Sequence, residues 1–262
     1  MTNVFVGPPI GGILFAVAAS VPFWLDGASF LIAALLVATI AGSFRPAGAK
    51  VAGEKRSLRS DIAEGVRWLR NHRLLRTLAL VLGALNFASW LGMSTAVLFA
   101  QEILGLDAAG FGLLLAGMAV GSVLGGLFGA RIAAALGPGR ALIVTIAAEG
   151  ACGAAVGLMS NAVAVAVLFW FSGIFSVVWN IITVSLRQQI IPDHLLGRVN
   201  SVYRFLGWGS MPLGALAGGW LAEVFGLRAP WLVGGAVVAV ALVAALPRIT
   251  TSAIEEAKAA AI

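Results

Sequence analysis

A chain of 262 residues with 60% apolar and only 11% charged side chains lacks the polar surface of a soluble domain, which carries about 25% charged residues. With a mean hydropathy of +1.00, this composition excludes a soluble enzyme and a disordered chain, and the single cysteine, Cys152, excludes a disulfide scaffold. A net charge of +6 fits basic loops at an anionic membrane surface better than a nucleic-acid partner.

A membrane-crossing helix takes about 20 mostly apolar residues. Gly, Pro and charge punctuate the chain into eight apolar runs, near 5–21, 23–42, 75–104, 111–136, 141–159, 163–186, 199–226 and 230–247. The reading is an all-α polytopic membrane protein in four parts: a two-helix segment (1–42), a polar linker (43–73), a six-helix segment (74–247) and a tail (248–262). The first run opens on Pro8 and Pro9, tolerable in a first helical turn. Its rival reading is a signal peptide, suggested by Ala16-Val17-Ala18 but opposed by the lack of any Lys or Arg before Arg45. In the linker, Leu58, Ile62, Val66 and Leu69 recur at helical spacing opposite Arg59, Arg67, Arg70 and Arg73, with Asp61 and Glu64 as a capping pair. That pattern predicts an interfacial amphipathic helix.

Eight crossings place sixteen basic residues on one side and Arg228 alone on the other. Basic loops stay cytoplasmic, so both termini are expected inside, in the cell membrane. At an offset of 207 the start and end of the chain share 11 identities in 32 positions, among them Gly7, Gly11 and Gly12 with Gly214, Gly218 and Gly219, and Trp24-Leu25 with Trp231-Leu232. Parallel repeats mark transporters with two like halves. Four runs precede the second copy and six residues the first, so the first half is expected to lack its opening four helices.

The motifs add a family. Gly7-Pro8-Pro9-Ile10-Gly11-Gly12 resembles the fifth-helix motif of drug exporters in the major facilitator superfamily, although Asn3 stands where its upstream glycine belongs. Gly126 to Arg140 resembles the second copy of that superfamily's loop motif, with Arg131 and Arg140 as its basic positions and Ala130 in place of an acid. Ile191 to Ser201, with Arg204, Pro212 and Gly214, is similar to the tenth-to-eleventh helix connection of the enterobactin-exporter and macrolide-efflux branch, and Asp26 to Phe30 to its sixth helix. The resemblance implies helices five to twelve of a twelve-helix fold and proton-coupled efflux of a small amphipathic molecule by rocking of two halves.

Candidate site residues follow. Glu149 is the carboxylate in the middle of an apolar run, where a charge costs about 2.5–3.5 kcal/mol unless protonated, paired or wet; it is a candidate proton-coupling acid, as is Asp26, for which a helix-dipole role is the alternative. By the resemblance, runs three and six line a central cavity, offering Asn86, Trp90 and Met93, and Trp179, Asn180 and Thr183. Helix packing or gating candidates are Gly7, Pro8, Gly11, Gly12, Gly214 and Gly218, the 117–129 glycines, and the charged Arg131, Arg140, Asp193, Arg198 and Arg204. For the 117–129 stripe, static packing is weighed against sliding. His72 and His194 stand too far apart in sequence to suggest a metal, and no P-loop, zinc or dinucleotide motif is present. The expected partners are the lipid bilayer and a small-molecule substrate, without cofactor or nucleic acid. The rival function is a non-transporting product, or a subunit needing a polypeptide that supplies the missing helices.

Overall fold

The structure is a computed structural model that describes residues 20–39 and 58–259. The chain divides into two units, Met1–Ser57 and Leu58–Ile262. In the first unit, α1 (Val21–Ala38) has a proline in its opening turn. The first apolar run, with Gly7, Pro8, Gly11 and Gly12, lies outside the described residues apart from its last two positions. Asp26 sits in α1, where its carbonyl accepts the Ser29 hydroxyl at 2.7 Å.

The second unit is a helical bundle: α2 (Leu58–Asn71), α3 (Arg73–Met93), α4 (Ala96–Glu102), α5 (Ala108–Leu136), α6 (Pro138–Leu158), α7 (Ala162–Ile190), α8 (Asp193–Phe225), α9 (Ala229–Ala245), a 3-10 turn at Leu246–Arg248 and α10 (Thr251–Ala259). Among the described residues five helices are long and apolar enough to cross a membrane: α3, α5, α6, α7 and the helix from Ala229 to Arg248. The apolar core of α1, Phe23–Ala38, is shorter. The 33 residues of α8 are interrupted by Pro212 and rich in Gly, Trp and polar residues.

Two run boundaries move. The 75–104 run breaks at Ser94–Thr95 into α3 and α4, each hydroxyl turning back onto a carbonyl three residues earlier. The 199–226 run begins at Asp193 instead, because Leu195, Val199 and Tyr203 are buried at four-residue intervals and carry the helix through a polar sequence. Other ends follow local chemistry: the Asp107 carboxylate accepts Gly110 N–H at 2.8 Å and the Asn161 carbonyl accepts Ala164 N–H at 3.0 Å. The α5–α6 corner needs Gly137 at φ 76°, followed by Pro138 in the first turn of α6. The 207 offset carries Val21–Ala38 onto 228–245, within one residue of α9.

Glycines set the closest packing. A Cβ at Gly121 would collide with the Trp170 carbonyl and one at Gly173 with that of Met118, so α5 and α7 meet backbone to backbone. Gly214 and Gly218 bring α8 against the Phe87 and Leu91 carbonyls of α3 in the same way. Two apolar clusters fill the bundle. One, around Leu75, Leu142, Ile182, Val199 and Ile249, lies toward the end that carries α2 and α10. The other, around Phe99, Phe169 and Trp231, lies toward the opposite end.

Two contacts hold α2. The Arg198 guanidinium on α8 bridges Asp61 at 3.1 Å and Glu64 at 2.8 Å, and Gly65 lies over the Arg198 backbone. The expected capping pair is thus a clasp for an arginine, and Arg198 joins α8 to the linker helix. Trp68 and Leu69 pack inward while Ile62 and Val66 stay exposed, leaving an outer face of mixed apolar and basic character. Replacing Arg198 with alanine is expected to cost about 1 kcal/mol for these partly exposed pairs, read as faster hydrogen exchange in α2 that high salt mimics in the wild type.

His72 caps α3 by accepting Leu75 N–H on Nδ1 at 3.3 Å and stacks on Trp68. Burial pulls its pKa below the ordinary 6.5, opposed by its own backbone hydrogen bond. The folded form therefore binds the proton less readily than the unfolded one, so the cap is fully stabilising above pH 6.5 and weakens as pH falls below it. Amide exchange at the α2–α3 junction is expected to quicken between pH 7 and about pH 5 in the wild type and to stay flat in His72→Asn, which keeps a neutral acceptor.

Candidate functional site

Between the two apolar clusters lies a cavity of about 250 Å³. Glu149 of α6 reaches it, and the Ser172 hydroxyl of α7 donates to Glu149 Oε2 at 2.7 Å. Ser89, Ser122 and Ser176 add hydroxyls from α3, α5 and α7. Asn86, Trp179 and Asn180 complete the wall. Four serine hydroxyls and two amides around one carboxylate make a polar interior able to hold it charged or protonated without a counter-ion.

Leu82, Asn86 and Asn180 also line a second cavity of about 520 Å³ toward the α2 end. Asn86 donates to the Gly207 carbonyl at 2.9 Å, stitching α3 to α8 at the join. Beyond it, Arg187 donates to Asn200 Oδ1 at 3.0 Å and stands over the Tyr203 ring, and Arg204 stands over Trp208. The two cavities form one polar track from Glu149 past the paired asparagines to two arginines. Polar groups at membrane depth face an interior or a water-filled space, not lipid, so this is the polar, inward-facing side of the bundle.

The track gathers some sequence candidates and leaves others aside. Asn86, Trp179, Asn180, Glu149 and Arg204 lie on it. Trp90 stands 43% exposed, and Met93 packs against the Phe99–Trp231 cluster. Thr183 is buried with its hydroxyl donated to the Trp179 carbonyl at 2.9 Å. Arg131 and Arg140 are exposed on either side of the α5–α6 corner, and Asp193 is exposed in the first turn of α8. Gly214 and Gly218 are helix-packing positions, as described above. Sequence reasoning did not single out Ser89, Ser122, Ser176, Arg187 or Asn200. On α7 a signal was present: positions 172, 176, 180 and 187 share one helical face.

Among the described residues no group of His, Cys, Asp and Glu is placed to hold a metal ion. Charge is sorted by end: among the described residues of the second unit, Arg228 is the one basic residue at the end opposite α2. There it donates to the Gly157 and Met159 carbonyls and to Ser160.

The multidrug efflux pump Tap of Mycobacterium tuberculosis is 29% identical over 238 residues, 87% of this chain and 54% of that protein. Tap of Mycobacterium bovis gives the same figures. Tap of Mycolicibacterium fortuitum is 25% identical over 235 residues, 87% and 55% of the two chains. The chain thus spans about half the length of the curated relatives it matches. The family profile described as Major Facilitator Superfamily matches residues 3–215 and, overlapping them, 82–261. With its all-α bundle of membrane-length helices, the chain is a polytopic membrane protein that belongs to the Major Facilitator Superfamily, a family of transporters.

Proposed function

We propose that the chain works as a secondary transporter of the efflux type, moving a small amphipathic molecule by alternating access and coupling it to protons through Glu149. The observation that carries the reading is the track itself: one carboxylate, hydrogen-bonded to Ser172, at the head of a polar path through an otherwise apolar bundle. On this reading 74–247 is a six-helix half and 1–42 contributes two helices of the other, and the two overlapping family matches are in keeping with two like halves. Asp26, on α1, is the second candidate acid. The basic end, with α2 and α10, is then the cytoplasmic face of the cell membrane.

The experiment is flux into vesicles that hold the purified chain alone, with rhodamine 6G and 1-naphthalenesulfonate tested separately. A proton gradient is expected to drive movement of at least one dye, lost when the gradient is dissipated. Absence of gradient-dependent flux for both overturns transport by the chain alone. The match to about half of its relatives favours a second reading, in which a separate polypeptide supplies further helices. On that reading flux appears only when a four-helix piece is co-expressed.

A further inference from the structure

The larger cavity holds two guanidinium groups that no carboxylate among the described residues neutralises. Arg187 is oriented by three neutral anchors: Nε donates to the Thr183 carbonyl at 3.3 Å, Nη1 donates to Asn200 Oδ1 at 3.0 Å, and the Tyr203 ring lies 4.4 Å from the guanidinium carbon. Arg204 rests over the Trp208 ring at 4.5 Å. Among the described residues, neither arginine has a carboxylate within ion-pair distance, whereas Arg198, six residues before Arg204, has two. No acidic residue lines the cavity.

An arginine stays protonated in any protein setting. A carbonyl, an amide oxygen and an aromatic face hold it in place while leaving its charge unspent. Here that arrangement borders a cavity of about 520 Å³, within the range of small-molecule sites. Its remaining wall mixes neutral amides, Asn86, Asn180 and Gln188, with an apolar and aromatic part through Leu82, Val184, Trp208 and Met211. A planar fork of N–H donors matches the geometry of carboxylate, sulfonate and phosphate groups.

We propose that the Arg187–Arg204 cavity binds an amphipathic anion, its acidic group held by the two guanidiniums and its apolar body against Trp208 and Met211. The inference deepens the transport reading by naming a substrate class and rests on that reading for the role of the bound molecule. The anion is either a soluble solute or the phosphate of a lipid headgroup, which share this chemistry.

The test is equilibrium binding to the full chain in phosphatidylcholine nanodiscs, comparing 1-naphthalenesulfonate with its neutral analogue 1-naphthalenesulfonamide. The sulfonate is expected to bind roughly tenfold tighter, and Arg204→Gln is expected to erase that preference. Arg204 makes no hydrogen bond among the described residues, so this variant leaves the helix contacts in place; Arg187→Gln is the companion variant. In phosphatidylglycerol nanodiscs, displacement of the sulfonate identifies a lipid headgroup as the source, and unchanged binding identifies a soluble anion; both sustain the site. Equal binding of the two analogues, binding of neither, or a preference that survives Arg204→Gln overturns the proposal. Equal binding of the two analogues by the wild-type chain with dye flux intact removes this inference alone, and a wild-type preference without flux removes the transport reading alone.

Discussion

Replacing Glu149 with glutamine is expected to lower gradient-driven dye flux by about tenfold or more, the scale on which one coupled proton acts, while leaving gradient-independent exchange near the wild-type level. Glutamine keeps the volume of the side chain and its acceptor for the Ser172 hydroxyl. What it lacks is an exchangeable proton at the head of the track. Ser172→Ala is the companion change: it removes the donor at 2.7 Å but leaves the carboxylate, so coupling should persist with an altered pH profile. Full gradient-driven flux in the glutamine variant would assign coupling elsewhere.

The second large effect is structural. Gly121→Leu or Gly173→Leu is expected to destabilise the bundle by about 3 kcal/mol or more, since the added atoms meet backbone rather than movable side chains. Thermal unfolding in detergent reads the loss, with Gly126→Ala as the control, because a Cβ there meets nothing within 4 Å. Gly125 and Gly129 also fit against α7, at Ile174 and Ile181. The 117–129 stripe is therefore a close-packed seam between α5 and α7. A leucine at Gly121 that unfolds like the wild type would mean that the seam is loose.

Much of this architecture was legible in the sequence because the membrane imposes long apolar runs and the chain marks their ends openly. Asp107, Asn161 and the Gly137–Pro138 pair announce helix ends by chemistry that neighbours do not alter. The stretch from Asp193 to Arg198 reads as a loop because it is polar, yet it is helical: its burial comes from residues every fourth position, and its charge from Arg198 is met by a helix far away in sequence. The site was legible helix by helix but not across helices. Asn86 and Asn180 each stood out as an amide in an apolar run. That they share a wall with Glu149 depends on α7 packing against both α5 and α6, and periodicity does not encode which helices are neighbours. Trp90 and Met93 share a helical face with Asn86, but lie at the end of α3 where that face leaves the track.

The account turns on the track being a water-filled path in the membrane. Labelling of single cysteines by a charged, membrane-impermeant thiosulfonate tests it directly, in a background where Cys152, the one native cysteine, is alanine. Cysteine at Ser176 and Asn180, which line the cavity, is expected to react from water, while cysteine at Leu127 and Val240, exposed midway along α5 and α9, is expected to stay protected by lipid. Protection at Ser176 and Asn180 equal to that at Leu127 would contradict a transport path along these residues.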